Sequence, residues 1–489
     1  MALNASGPIS FGGSTTGQSI NLELNVSATA LASINSTAFR TLAGVASGQI
    51  SISSFYGKSN IQGWVGTYSY SVPTTTYYQG AYGVGFDSSN NIFVWGRLGA
   101  ASSPIDSSTL IKVNSTGTLQ GGITLTSGAY AADPDRYFGQ LLTVDGSGNP
   151  YVAAVLNNRS GILKFNTSAS SIDWGYYTDL AGQITRNGYD GAIVKDFSGN
   201  IWSTARGFDA GFNNITGYVK VNTGGSLLLS KYTTNNYYIQ GPVAVDASGN
   251  FILNYGNRFW YKFNSDGTLS STIGMTQNNT NRSVSVCDSS NNFYLASQAG
   301  GTFCILTKFD SSLTLQWSRQ LSGYTNNGGP RNIIVGGDGN IYVCGGFSSA
   351  GQPGWIVKYN SSGTLQWQRQ FYNANENSGV QGNIIWAIAY SSIGIAFAGQ
   401  VVNNSGSSDP DKTQAIMGII PLVGNGTGSY NPSGGSINIT YTALSGTDAA
   451  YTFGDSTQTG SSMSNNSNWT SSTPGTTSAA GSAYYSSLA

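Results

Sequence analysis

Residues Val243–Leu253 read V-A-V-D-A-S-G-N-F-I-L, two apolar runs separated by D-A-S-G-N. The segment is either a cation loop starting at Asp246 or a tight turn between two strands. A calcium loop of the EF-hand type needs oxygen ligands at alternate positions and a closing carboxylate at the twelfth. Ser248 suits such a loop, but Asn250 and Asn257 stand where carboxylates belong, and no glutamate follows. The turn is the better reading, and no metal is expected at Asp246.

The same punctuation recurs along the chain. It appears as F-D-S-S-N-N-I-F-V from Phe86, V-D-G-S-G-N-P-Y-V from Val144, K-D-F-S-G-N-I-W-S from Lys195 and C-D-S-S-N-N-F-Y-L from Cys287. Two further copies are altered: V-G-G-D-G-N-I-Y-V from Val335 moves the carboxylate to Asp338, and A-Y-S-S-I-G-I-A-F from Ala389 has none. The turns open at 87, 145, 196, 246, 288, 336 and 390, so the period is close to 50 residues. A second signature follows most turns, as in I-K-V-N-S-T-G-T-L from Ile111, Y-K-F-N-S-D-G-T-L from Tyr261 and V-K-Y-N-S-S-G-T-L-Q-W from Val357. It reads as a third strand, a Gly-containing hairpin and a fourth strand. Four short strands at this period describe a propeller blade, and a closed ring leaves only short edges exposed. Gly63–Val72, G-W-V-G-T-Y-S-Y-S-V, resembles an outer strand with no blade before it, so it is expected to complete the last blade beside a third strand at Ala415–Val423.

The expected fold is therefore all-β: a seven-bladed β-propeller of four-stranded antiparallel blades over 60–423, a small N-terminal α+β docking module over 1–59, and a β-rich C-terminal extension over 424–489. The repeat pattern is similar to the seven-bladed propeller repeats of bacterial and phage proteins over roughly 63–423. The N-S-D-G-T and N-S-S-G-T turns resemble the structural turn of sialidase propellers, whose arginine cluster, tyrosine and glutamate find no residue-by-residue match here.

In the N-terminal segment, I-S-F-G-G and I-N-L-E-L-N-V suggest short strands, and Asn35 or Ser36 can cap a helix carrying Phe39 and Leu42 and ending at Gly44. The pattern closing on S-G-Q-I-S-I-S-S-F-Y-G resembles the N-terminal module of tailed-phage virion proteins, notably of marine and cyanobacterial phages. That resemblance implies docking onto other virion proteins through Phe39, Arg40, Leu42, Phe55 and Tyr56. It also implies a virion location after assembly in the host cytoplasm, and a homo-oligomer within the particle. The extension beyond Gly424 lacks Lys and Arg and is rich in Ser, Thr, Gly and Asn. It is expected to be mobile or ordered against a neighbour, another route to virion partners.

Charge and chemistry narrow the function. Only 9% of the 489 residues are charged, and 21 Lys+Arg balance 21 Asp+Glu, so no basic footprint for nucleic acid is expected. The opening M-A-L-N-A-S has no signal-peptide pattern, and no secretory leader is expected. Ile384–Ala398 is uncharged but shorter than a helical span and broken by Ser391, Ser392 and Gly394; two buried strands are expected, with no membrane insertion. Histidine is absent, removing the commonest general base and metal ligand. Cys287, Cys304 and Cys344 read as buried free thiols. The only glutamates are Glu23 and Glu376, and there is no phosphate-cradling Gly-rich loop. Asp133 with Asp135 and Asp409 with Asp411 flank prolines beside Arg136 and Lys412, a pattern commoner in charged loops than in catalytic pairs.

On these grounds the chain is expected not to be an enzyme, and to need neither cofactor nor metal. Binding residues are sought on the loops entering the inner strands: Tyr78, Tyr82, Arg136, Tyr137, Arg186, Tyr189, Tyr238, Gln240, Arg282 and Arg331. Tyrosine with amide and guanidinium groups suits a host surface glycan or protein, while the alternative is that these tyrosines fill wedges between blades. The leading expectation is a phage virion structural protein, tail-associated as a fiber, spike or adaptor, with the propeller as rigid platform or host-attachment adhesin. The alternatives are a propeller lectin outside a virion and a carbohydrate-active enzyme.

Overall fold

In the computed structural model the segment around Asp246 is a turn joining Ile239–Val245 to Phe251–Tyr255, paired antiparallel with Val245 opposite Phe251. The carboxylate makes the turn. Asp246 Oδ1 accepts the backbone N–H of Ser248 at 2.9 Å and of Asn250 at 2.8 Å, and Oδ2 accepts Asn250 Nδ2 at 3.0 Å. Gly249 takes a φ of +82°, which a residue without Cβ adopts at no steric cost. Where the motif reads S-S-N-N, the asparagines Asn90 and Asn291 take that conformation, at φ 62° and 63°.

The structure describes residues 3–4, 7–15, 18–24, 27, 29, 33, 36–43, 48–55, 63–69, 80–97, 108–127, 129–130, 141–156, 159–178, 192–208, 214–233, 239–255, 259–274, 283–299, 303–322, 329–346, 353–373, 383–402, 413–422, 424, 428–430, 439–443, 447–450, 464–465, 469–471, 475–478 and 482–487. Among them helix is confined to Ile20–Glu23, Thr37–Ala43 and a 3-10 turn at Ile52–Phe55; the rest of the regular structure is β. The fold is all-β and propeller-like, built of four-stranded antiparallel sheets. The first repeat unit pairs Gly80–Phe86, Ile92–Arg97, Ser108–Val113 and Leu119–Ser127 in sequence order. Units at 142–178, 193–233, 239–274, 283–322 and 329–373 repeat that order.

The unit at 384–420 supplies three strands, and its fourth is Trp64–Ser69 from the other end of the chain, with Trp64 opposite Ile419 and Thr67 opposite Ile416. That pairing is the one the unattached G-W-V-G-T-Y strand called for. Ile384–Ser391 and Gly394–Val402 are the two strands expected of the uncharged run, and no described helix is long and apolar enough to cross a membrane. Neighbouring units touch through their first strands. Gly80–Phe86 contacts Leu142–Val144, which contacts Ile193–Lys195, and so on through Ile239–Val245, Ser283–Cys287, Gly329–Val335 and Ile384–Ser391, which contacts Gly80–Phe86 again. Aromatic pairs fill the space between units: Trp95 with Phe165 at 6.2 Å, Trp202 with Phe251 at 5.0 Å, and Tyr342 with Tyr390 at 6.3 Å. Such pairs add about 0.5–1.5 kcal/mol each beyond the area they bury.

The tail is β-rich as expected, but its described strands are ordered against the chain itself rather than against a neighbouring molecule. Its strands add to the outer edges of the chain's own sheets, in reverse order around the units. Ile439–Ala443 pairs with Leu365–Asn373, Thr447–Ala450 with Leu315–Ser322, and Ser464–Asn465 with Leu227–Thr233. Trp469–Ser471 then pairs with Ile172–Thr178, Gly475–Ser478 with Leu119–Ser127, and Ser482–Ser487 with Trp64–Ser69. Backbone hydrogen bonding to an open edge is available to almost any sequence, so a polar segment joins a sheet without a core of its own.

At the N-terminal end, Ser36 caps Thr37–Ala43 through Oγ accepting Phe39 N–H at 3.4 Å. The strand expected at I-N-L-E is instead the short helix Ile20–Glu23, which buries Ile20 beside Leu3, Phe39, Leu42 and Phe55. Gly44 lies outside the described residues.

Candidate functional site

Most of the charged chemistry in the repeats is used in joining the units. Where the residue six positions after a turn begins is an aromatic carrying a donor, it bonds back to the turn carboxylate. Tyr151 OH reaches Asp145 Oδ2 at 3.1 Å, Trp202 Nε1 reaches Asp196 at 3.0 Å, Tyr294 OH reaches Asp288 at 3.1 Å, and Tyr342 OH reaches the displaced Asp338 at 2.7 Å. The third-strand lysines join them: Lys112, Lys220 and Lys358 lie 3.0, 3.4 and 3.3 Å from Asp87, Asp196 and Asp338. Burial pushes the Asp87, Asp196 and Asp338 carboxyls up, but these hydrogen bonds and cations outweigh it and hold them below the ordinary carboxylate range. Asp145 is held low against burial by Asn149, Tyr151 and Ser147.

Several third-strand lysines and fourth-strand tryptophans donate to the next unit. Lys308 and Trp317 both reach the Ser361 carbonyl, at 3.4 and 3.1 Å, and Lys358 and Trp367 both reach that of Leu422, at 3.1 and 3.0 Å. Lys112 donates to Thr167 O at 2.8 Å, Tyr151 to Thr223 O at 3.2 Å, and Lys262 to Ser311 O. Trp64, on the strand borrowed from the N-terminal side, donates to Ser115 O of the first unit at 2.9 Å. Sequence reading used the K-[VFY]-[ND] and L-Q-W patterns only to count strands; a cation or indole repeating at one strand position was the signal that they also clamp neighbours.

An open site lies elsewhere. The first strands at Ile193–Lys195, Ile239–Val245, Ser283–Cys287 and Gly329–Val335 surround a cavity of about 450 Å³. Its walls are mainly Ile, Val and Ala, with Lys195, Asp196, Ser285, Cys287 and Asn332 as polar members. The Lys195 ammonium donates to Val144 O at 2.9 Å. Asp196 is committed to its turn, Trp202 and Lys220. Burial pushes the Cys287 thiol well above its usual range, so it is no ready nucleophile. Cys304 and Cys344 are buried free thiols, that of Cys304 pushed up to about 12 by burial.

Of the sequence-predicted binding residues, Tyr82 and Arg331 are described in full, and both are buried. Tyr82 meets Trp386 edge-on at 5.9 Å, and the Arg331 guanidinium lies 4.2 Å from the centre of the same ring. They pack in the seam between three successive first strands, and for Tyr82 this is the wedge-filling role left open as the alternative. Gln240 sits on Ile239–Val245 opposite Asn254. Tyr78, Arg136, Tyr137, Arg186, Tyr189, Tyr238 and Arg282 lie outside the described residues, as do Tyr56, Asp133, Asp135, Asp409 and Asp411. Phe39, Leu42 and Phe55 are interior rather than contact surface, since each is at most 4% exposed and they pack on one another. Phe11, 44% exposed and stacked at 5.9 Å on Phe39, is the aromatic that presents outward among the described residues of this region. Arg40 donates to Gly48 O at 3.1 Å.

No protein-family model matches the chain, and no curated protein does. Solved structures do. A protein of unknown function from Dyadobacter fermentans DSM 18053 is 11% identical over 72% of this chain and 98% of its own, with a TM-score of 0.40. A luciferin-regenerating enzyme is 13% identical over 57% of this chain and 87% of its own, at 0.34. Polysaccharide lyase Uly1 is 10% identical over 73% of this chain and 92% of its own, at 0.39. Two of these three are described as enzymes, so the expectation that the chain is not an enzyme is not upheld. Likeness at this level assigns neither activity to this chain.

Proposed function

We propose that the chain is a virion component of a tailed bacteriophage, tail-associated as a fiber, spike or adaptor. In this reading residues 60–423 close into a seven-bladed ring that serves as a rigid platform or host-surface adhesin. The supporting observation is the cyclic clamp: first strands touch in succession back to the first unit, and Trp64 bonds Ser115 across the junction where the ring begins and ends. A ring in which both ends of the repeat region share one sheet resists opening, because separating the units means breaking sheet pairing and clamp together. Tail strands along the outer edges add to that stiffness.

The virion setting rests on the resemblance carried by S-S-F-Y-G and the capped helix before it. Residues 1–59 then dock onto other virion proteins, with copies of the chain arranged together in a particle assembled in the host cytoplasm. Mass spectrometry of purified particles, with antibody labelling to place the chain, is the test. Particles that lack the chain overturn the reading.

A further inference from the structure

We propose that the cavity between the first strands binds a small amphiphilic anion: an apolar body with one acidic group and one N–H or O–H donor. The argument starts from the repeat. At the position just before each turn six copies carry Phe86, Val144, Val245, Cys287, Val335 and Ala389, and the remaining copy carries Lys195. Three positions before the turn six copies are aliphatic, and the remaining one is Ser285. Four positions before it, Asn332 stands where the others have Gly83, Leu141, Ala192, Pro242, Val284 and Trp386. These three departures lie in three different units, up to 137 residues apart (332 − 195), yet all three line the one cavity. A structural requirement of the repeat does not explain them, because the other copies form the same strands without them.

Lys195 and Asn332 each offer one kind of contact. Lys195 lines the cavity and spends one donor on Val144 O, and an ammonium carries three. The neighbouring Asp196 charge is met by Lys220 at 3.4 Å, so Lys195 is left as the cation for an incoming acid. Asn332 is 2% exposed, and its Oδ1 is buried with no hydrogen-bond partner, so turning its amide toward the cavity to meet a ligand donor gives up no bond that Oδ1 now makes. The remaining wall is mainly aliphatic, joined by Phe197, Cys287 and the already committed Asp196, and the volume of about 450 Å³ falls within the range of small-molecule sites.

The test uses the full-length chain and 8-anilinonaphthalene-1-sulfonate, which joins aromatic rings, an anilino N–H and a sulfonate. Its fluorescence is titrated at fixed protein concentration, and N-octanoylglycine and octylammonium are then compared as competitors. The expected result is saturable one-to-one binding, displaced by the acyl glycine and not by the ammonium. Lys195→Gln weakens it about tenfold, the loss of one charge-assisted hydrogen bond. Val194→Trp, which grows a partly exposed wall residue into the cavity, abolishes it. Absence of saturable binding overturns the proposal, as does equal displacement by octylammonium, or unchanged affinity in Lys195→Gln or in Val194→Trp at an unchanged melting temperature. The competitor comparison needs no substitution, so a variant that fails to fold does not shelter the proposal.

Discussion

Replacing Asp196 with alanine tests whether the repeated carboxylates are turn and clamp elements, with Asp246→Ala as an internal reference. Both residues accept the N–H groups two and four positions on. Only Asp196 also accepts the indole N–H of Trp202, at 3.0 Å, and faces Lys220 at 3.4 Å. The residue in Trp202's place after Asp246 is Ile252, which has no donor. Losing the turn bonds costs about 1–2 kcal/mol, because the freed N–H groups sit near the surface and regain water. Asp196→Ala additionally strands the N–H of Trp202, which is 0% exposed, and takes the partner from a largely covered lysine. An orphaned buried donor alone costs about 1–3 kcal/mol, so the expected loss is about 3–4 kcal/mol for Asp196→Ala against about 1–2 for Asp246→Ala. Urea unfolding followed by tryptophan fluorescence and circular dichroism gives both values. In the double variant Asp196→Ala/Trp202→Phe part of the loss returns, since the stranded donor is gone. Equal losses for the two alanine variants, or no recovery in the double variant, would refute this account of the turn. So would a calcium-induced rise in melting temperature that disappears in Asp246→Ala.

Acid stability follows from the depressed carboxyls of Asp87, Asp145, Asp196 and Asp338. Their folded-state values lie below the ordinary 3.8, so their contribution is fully present above that value and is lost as the pH falls through the folded-state range. With no histidine in the chain, a melting temperature nearly constant from about pH 5 to 8 and falling below about pH 4 is expected by differential scanning fluorimetry. Trp64→Phe removes the Ser115 bond while keeping most of the buried ring, and is expected to cost about 1 kcal/mol and to speed amide exchange in Trp64–Ser69. Deleting 479–489 strips the Ser482–Ser487 partner from that strand and is expected to speed exchange there more than in Ile384–Ser391; equal rates would count against the added strand.

The two altered turns explain each other. A Cβ at Gly336 would come within 2.6 Å of the Tyr390 ring, so the side chain at that position is absent in one unit where the equivalent residue of the next unit, Tyr390, fills the space. Moving the carboxylate two residues on, to Asp338, preserves both the Tyr342 hydroxyl bond and the lysine pairing. Asp338 itself therefore marks a clamp that the unit retains after losing the usual turn residue.

The repeat, its strands and the borrowed strand Trp64–Ser69 were legible in the sequence because their signals are local. A carboxylate bonding two and four residues ahead, a residue free to adopt positive φ and alternating apolar runs each sit within a dozen residues. Function-bearing geometry is not local. Tyr82 and Arg331 read as loop residues, and only the packing of three first strands around Trp386 buried them. The tail was legible as β-rich, but not where its strands attach, because they pair through backbone groups that every residue shares. Lys195, Ser285 and Asn332 were visible as departures from the repeat, but their meaning depended on the units standing side by side around one cavity. Sequence alone determined the period and the turns, since both are written in short-range hydrogen bonds. Tertiary structure decided which departures converge, because distances between units are set by packing across the whole set of sheets.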